Sequence, residues 1–300
     1  MVNSPEVSII IPSLFDKPRE KFLVNTITSI KYQTFKNYEI ILVNLNKNPA
    51  LKKKLRIINN KLRYFKTNVP NPGKARTLGM DKSRGNYIAF LDDDDLWDPC
   101  FLETALNNLK LKKDADLIIY NYEAIDENGK HLYYLFQDKV IDEKNILKTQ
   151  IINNIFTTNS ILFKKKISRV VRPKFGLAET TYFGLFCAAH GFKIILAREP
   201  LVKYLVHSDS DYHNKKHELQ TYINSIITWE EFIRKYPAVY PALVKKRLSR
   251  QYANFASYYL VNTQFVQAKE YAIKSFKTKM NLNALRLILK IVFINASLPN

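Results

Sequence analysis

The chain has 300 residues, a net charge of +20 and 46% hydrophobic residues. This length suits one large domain, or a catalytic domain with a smaller appendage, and the hydrophobic content excludes a disordered chain. Cys100 and Cys187 are the only cysteines; they exclude a cysteine-based zinc site or a disulfide framework, and a reducing compartment fits best.

Met1 to Ser13 carries no basic stretch followed by a long apolar one, so no signal peptide is expected. Nor does any segment reach the roughly 18 apolar residues that span a bilayer. Val7 to Ile11 is a short β-branched run stopped by Pro12, and it reads as a strand buried on both faces of a parallel sheet. Leu23, Ile27 and Ile30 recur at helical spacing. Tyr38 to Val43 reads as a second buried strand and Leu62 to Phe65 as a third, with a helix over Gly73 to Ser83. Tyr87 to Leu91 is a further strand, and it runs straight into Asp92-Asp93-Asp94-Asp95. Such strand–helix alternation predicts a parallel sheet with crossover helices, and ligands beyond the carboxyl ends of its strands.

Past the aspartates, Phe101 to Lys112 reads as a helix and Asp116 to Tyr122 as a strand. Glu127-Asn128-Gly129 signals a turn into a hairpin partner over His131 to Phe136. Thr180 to His190 is a helix ended by Gly191, and Ile194–Leu196 and Leu201–Val206 read as strands. From about Lys215 glycine is absent and the pattern is helical, broken at Pro237 and Pro241. Ala253, Ala256, Tyr259, Ala268, Ala272 and Phe276 resemble one tetratricopeptide hairpin, whereas an array needs about three. From Tyr212 onward, fourteen Lys and Arg face four Asp and Glu. This shift sets the expected boundary: an α/β domain over 1–210 and a basic helical region over 211–300.

Four successive aspartates at a strand end repel one another. One reading is a solvated turn with a helix cap, Asp98-Pro99 starting the next helix. The other is a site for a divalent cation, which relieves the repulsion through oxygen ligands. An EF-hand is excluded, because the loop lacks its glycine and distal Glu.

Val7-Ser8-Ile9-Ile10-Ile11-Pro12-Ser13, Gln33 through Val43, Gly73-Lys74-Ala75-Arg76-Thr77-Leu78-Gly79 and Gly85 through Asp95 together resemble the family 2 glycosyltransferases. The ordered match covers residues 7 to 99 and resumes at 175 to 207. The resemblance implies a GT-A fold: a Rossmann-like, mostly parallel α/β sheet flanked by helices, here with a C-terminal helical extension. A nucleotide-sugar half over about 1–100 and an acceptor half over about 101–210 are implied with it.

The resemblance also assigns roles. Pro12, Ser13, Leu14 and Phe15 would line the nucleotide pocket, and Arg76 would face the base or diphosphate of the donor. Asp92-x-Asp94 matches the DXD motif. Asp94 would bind Mn²⁺ or Mg²⁺, and Asp92 would hold the ribose or the water shell of the metal. Asp93 belongs to the donor-binding run and, with Asp95, would shape the turn. His207 matches a family His after the last strand and would approach the diphosphate or the metal. Its structural alternative is a packed histidine.

Two positions depart from the family. Counting back from Gly191, the residue that usually reads Asp and deprotonates the acceptor is Thr180, so Glu179 becomes the candidate base. Its plain alternative is a carboxylate favoured by a helix N-terminus, and Asp209 and Asp211 are other candidates. After the second strand, Asn44 stands where the family has acids that contact the nucleobase. A UDP-sugar remains the favoured donor, with uridine preference open.

A basic surface favours polyanions without choosing among them. No recognised nucleic-acid motif accompanies the basic residues, so nucleic acid is not an expected partner. Leu282 to Leu298 reads equally as an interfacial helix on an anionic leaflet or as a helix packed on protein, including a second subunit. The resemblance and the basic tail together imply a cytoplasmic enzyme of cell-surface polysaccharide synthesis, able to contact the inner face of the membrane. Its acceptor would be a saccharide or a lipid-linked sugar. The alternative is a glycosyltransferase-like binding or partner subunit without turnover.

Overall fold

A strand buried on both faces needs apolar side chains at successive positions, and β1 (Val7–Ser13) supplies them: Val7, Ile9, Ile10 and Ile11 are fully buried. In this computed structural model, which describes residues 4–13, 19–44, 49–67, 71–173, 178–207, 215–280 and 282–296, β1 is flanked by two parallel partners. These are β2 (Tyr38–Asn44) and β4 (Tyr87–Phe90). On the far side of β2 lies β3 (Leu62–Lys66), also parallel. Crossovers run through α1 (Glu20–Lys31), α2 (Pro49–Ile58) and α3 (Pro72–Lys82). Leu23, Ile27 and Ile30 form the buried face of α1, as their spacing predicts. At the start of α3, the Asn71 side chain accepts from the Lys74 N–H and Pro72 takes the first turn.

Two glycines let elements close on β1. A Cβ on Gly79 would lie 2.3 Å from the Ile10 side chain. One on Gly85 would lie 2.7–2.9 Å from the backbone of Glu6, Val7 and Ser8. The Ser8 hydroxyl accepts from the Gly85 N–H at 2.9 Å and donates to Glu39 at 2.7 Å, so this buried polar pair is internally satisfied.

Beyond β4 come β5 (Leu96–Trp97), α4 (Phe101–Leu111), β6 (Leu117–Asp126), β7 (His131–Tyr134), α5 (Ile146–Asn153), β8 (Ile161–Lys164), α6 (Glu179–Ala189) and β9 (Ile194–Val206). The sheet order is β3-β2-β1-β4-β8-β6-β9-β5, with β7 on β6. Parallel pairing holds across β3-β2-β1-β4 and between β6 and β9; β8 is antiparallel to both β4 and β6. The sheet is therefore mixed. The two strands expected after Gly191 are one, β9, with a register break opposite Tyr120 and Tyr122 that leaves Arg198, Glu199 and Pro200 exposed. Gly129 carries the hairpin between β6 and β7 at φ +79°.

Residues Met1–His213 form one compact unit and Asn214–Asn300 a second. Within the second, α7 (Lys215–Lys235), α8 (Pro241–Val261), α9 (Phe265–Thr278) and α10 (Leu282–Ala296) follow one another. Ala256, Ala268, Ala272 and Ile291 make one buried cluster in it, packed by Tyr259, Tyr271, Leu287 and Ile288, and Trp229, Phe232 and Phe255 are buried as well. Among the described residues no helix is long and apolar enough to cross a membrane.

Gly85→Ala should destabilise the first unit by about 1–3 kcal/mol, because backbone atoms of β1 must shift to admit the methyl. Gly129→Ala, with open space but a left-handed backbone, should cost about 1 kcal/mol. Urea unfolding of the two variants checks the order.

Candidate functional site

The sheet order reverses at β1. Chain leaving β1 leads toward β2 and β3 on one side, while β4 lies on the other. Open α/β sheets bind ligands in the crevice at such a point. Ser13 and Asn44 are register partners at the carboxyl ends of β1 and β2. The Leu91 N–H donates to the Ile10 carbonyl at 3.1 Å, which carries β4 to the threshold of the aspartates.

The four aspartates form a tight turn, closed by Asp95 N–H on the Asp92 carbonyl at 3.3 Å. Each side chain then meets its own set of partners, with Arg19 shared by Asp93 and Asp94. Asp95 is fully buried and accepts from Asn159 Nδ2 at 2.6 Å and from the Leu205 N–H at 3.0 Å. Its carbonyl accepts from the Thr26 hydroxyl at 2.9 Å. Asp95 is thus the pin that ties the turn to α1, to β9 and to the helical turn Thr158–Ser160. Burial pushes its carboxyl well above the usual range, with the charges of Asp94 and Asp92 adding. Burial likewise pushes Asp93 up to about 7, against the pull of Arg19 and a hydrogen bond from Ser13.

Arg76, on α3, is 2% exposed and lies over the Phe90 ring. Its Nη2 pairs with Asp92 Oδ1 and its Nη1 with Glu179 Oε1. Thr158 completes this group by donating to Asp92 Oδ2 at 3.2 Å. Glu179 begins α6, is 5% exposed, and leaves its Oε2 buried without a hydrogen-bond partner. Thr180 follows it and is only partly buried. The resemblance assigns Arg76 to the donor and Glu179 to the acceptor; the structure pairs the two directly.

Arg19, immediately before α1, had no sequence signal beyond its place at a helix start. Its Nη2 reaches Asp93 Oδ1 at 2.8 Å and Asp94 Oδ2 at 2.6 Å. Asn159 was equally unmarked, in an ordinary polar stretch. His207, at the end of β9, brings Nε2 to 3.2 Å from the same Asp94 Oδ2. The His207 side chain is buried against Phe22, and its Nδ1 has no hydrogen-bond partner.

Residues of the crevice fit a divalent cation in part. Asp94 and His207 present an oxygen and a nitrogen 3.2 Å apart, close to the ~3 Å between adjacent ligands when metal–ligand bonds are about 2.1 Å. Among the described residues no group of three or more such side chains converges. Asp94 and His207 alone would suit only a metal that takes its remaining ligands from substrate phosphates and water. Leu14, Phe15, Phe175, Asp209 and Asp211 lie outside the described residues, and Asn44 is placed by its backbone.

The model of glycosyl transferase family 2 matches residues 8–189. An uncharacterized glycosyltransferase of Methanocaldococcus jannaschii is 30% identical over 240 residues, covering 76% of this chain and 81% of that protein. The chain spans between 24% and 52% of the length of four rickettsial glycosyltransferases that it also matches. Among solved structures, Staphylococcus aureus TarS 1–349 with UDP-GlcNAc superposes at a TM-score of 0.67, with 15% identity, over 97% of this chain and 87% of that one. The mannosyltransferase PcManGT of Pyrobaculum calidifontis, solved with GDP-Man and Mn²⁺, superposes at 0.55 with 15% identity, over 98% and 88%. The fold is thus the GT-A fold of these transferases.

Arg76→Met should cost about 3–5 kcal/mol, since it leaves the Glu179 carboxylate buried without its counter-charge. Urea unfolding in metal-free buffer measures it. A loss below about 1 kcal/mol would mean that water reaches Glu179.

Proposed function

The chain belongs to glycosyl transferase family 2, and from that premise we propose that it moves a sugar from a nucleotide-sugar donor to an acceptor hydroxyl with inversion, assisted by Mn²⁺ or Mg²⁺. The observation that carries this reading is the aspartate turn at the switch point, where Asp94 and His207 approach to 3.2 Å. Asp94 and His207 would hold the cation. When bound, it would stabilise the charge that develops on the leaving diphosphate. Pro12, Ser13 and Asn44 lie at the carboxyl ends of β1 and β2, where the nucleoside would sit. A UDP-sugar is our favoured donor. The TarS neighbour was solved with UDP-GlcNAc, and PcManGT with GDP-Man, so the base is an outcome of a donor screen.

Asp92 would meet the ribose or the water shell of the metal from a position fixed by Arg76 and Thr158. Glu179 is the proposed acceptor base. Its Oε1 is held by Arg76, while its buried Oε2 is unpartnered and available for the proton of an entering hydroxyl. Thr180 favours a second reading, a donor-binding subunit without turnover, because the residue at the usual base position cannot accept a proton at neutral pH. The product would be a cell-surface polysaccharide or its lipid-linked precursor, made at the cytoplasmic face of the membrane. The feature supporting membrane contact is on α10, where Leu282, Leu285 and Leu289 are exposed on one face beside Arg286 and Lys290.

Asp94→Ala should lower donor hydrolysis or transfer with Mn²⁺ by about 100- to 1,000-fold, a few kcal/mol of transition-state stabilisation. Equal turnover in both proteins would remove the metal role. Glu179→Gln keeps the contact to Arg76, so it should retain donor affinity by calorimetry while kcat falls about 100-fold or more. Full rate in that variant excludes Glu179 as base, and donor binding without turnover in the wild type establishes the second reading.

For the membrane contact, the double variant Leu285→Glu and Leu289→Glu should cosediment about tenfold less with phosphatidylglycerol vesicles. Unchanged cosedimentation would assign this face to protein.

A further inference from the structure

Arg19 donates from Nη2 to two carboxylates at once, Asp93 Oδ1 at 2.8 Å and Asp94 Oδ2 at 2.6 Å. The three side chains are 11%, 5% and 12% exposed, so solvent screens them weakly. Asp94 Oδ2 is also the oxygen that faces His207 Nε2. One oxygen atom therefore serves both the guanidinium and the proposed cation site. A divalent ion seated on it would stand within about 5 Å of a fixed positive charge in a poorly screened crevice, where like charges repel strongly. Arg76 already serves Asp92, and at Asp94 Oδ2 Arg19 and a metal would compete for the same place.

We propose that Arg19 is the built-in counter-cation of the aspartate turn, and that Arg19 and a divalent metal exclude one another at Asp94. With no metal bound, Arg19 neutralises Asp93 and Asp94 and holds the turn in shape. Entry of the metal breaks the contact between Arg19 Nη2 and Asp94 Oδ2 and leaves Arg19 on Asp93. Metal affinity is then set partly by a residue that is not a ligand. The inference rests on the reading of Asp94 as a metal ligand, and the experiment separates the two.

Mn²⁺ is titrated calorimetrically into the full chain without donor, for the wild type, Arg19→Gln, Arg19→Lys and Asp94→Asn. Arg19→Gln should bind Mn²⁺ at least about tenfold more tightly than the wild type. Arg19→Lys should fall between them, since it keeps a charge on a more flexible stem. Equal or weaker binding by Arg19→Gln overturns the competition. Asp94→Asn should show no binding at this site. If it binds as the wild type does, the ligand assignment itself fails, and the inference with it.

A measurement on the wild-type chain needs no variant. Phenylglyoxal modification read by mass spectrometry should find Arg19 slow to react in EDTA and several-fold faster with saturating Mn²⁺. Unchanged reactivity overturns the exchange.

Discussion

Negative charge gathered at the end of a buried strand is the constraint on which this crevice depends. Four carboxylates in succession cannot all enter a protein interior ionised and unpaired, because each such burial costs several kcal/mol. The chain answers with partners for every one, Arg19 serving two. Arg76 from α3 takes Asp92, Arg19 takes Asp93 and Asp94, His207 approaches Asp94, and neutral donors from β9 and the Thr158–Ser160 turn take Asp95. These partners come from elements up to 113 residues away in sequence. Compensating the charge therefore also assembles the crevice: the same contacts that make the turn tolerable bring α1, α3, α6 and β9 to one point.

The division among the aspartates follows from burial. Asp95 is fully buried and meets only uncharged donors, so its surroundings favour the protonated acid. Its worth is geometric, since it fixes the turn to three elements. Asp94, less buried, lies between Arg19 and His207 and is the carboxylate proposed to exchange Arg19 for a metal. A rigid carboxylate beside an exchangeable one suits a site that must keep its shape while ligands come and go.

Much of the first sheet half was readable in the sequence because its strands are buried on both faces. Largely apolar runs rich in β-branched residues, such as Val7–Ile11 and Tyr38–Val43, carry that signal, and the Ala-Arg and Asp-x-Asp elements follow them in order. The second half was harder. β8 (Ile161–Lys164) is four residues long and looks like any short apolar run, and α5 has a weakly patterned surface. α2 is rich in Lys, with only Leu51 and Leu55 buried, so its apolar stripe is narrow. β9 read as two strands because Arg198-Glu199-Pro200 interrupts its pattern, whereas β6 tolerates the break as a bulge. Arg19 and Asn159 were invisible for a different reason. Their importance lies in what they meet across 74 and 64 residues, and nothing local to either marks it.

The departure at Thr180 looks different once Arg76 is placed. A base acting alone could be lost or moved without touching the donor side. Here Glu179 shares its guanidinium with Asp92, so a carboxylate at the start of α6 is mechanically joined to the first aspartate of the turn. Arg76 is 2% exposed and closely packed, so displacing either carboxylate would strain the shared ion pair. An acceptor hydroxyl that approached Glu179 Oε2 would therefore act on the same ion-pair network that orients Asp92. If Glu179 and Asp92 play the roles proposed for them, acceptor and donor sides would share a single buried arginine.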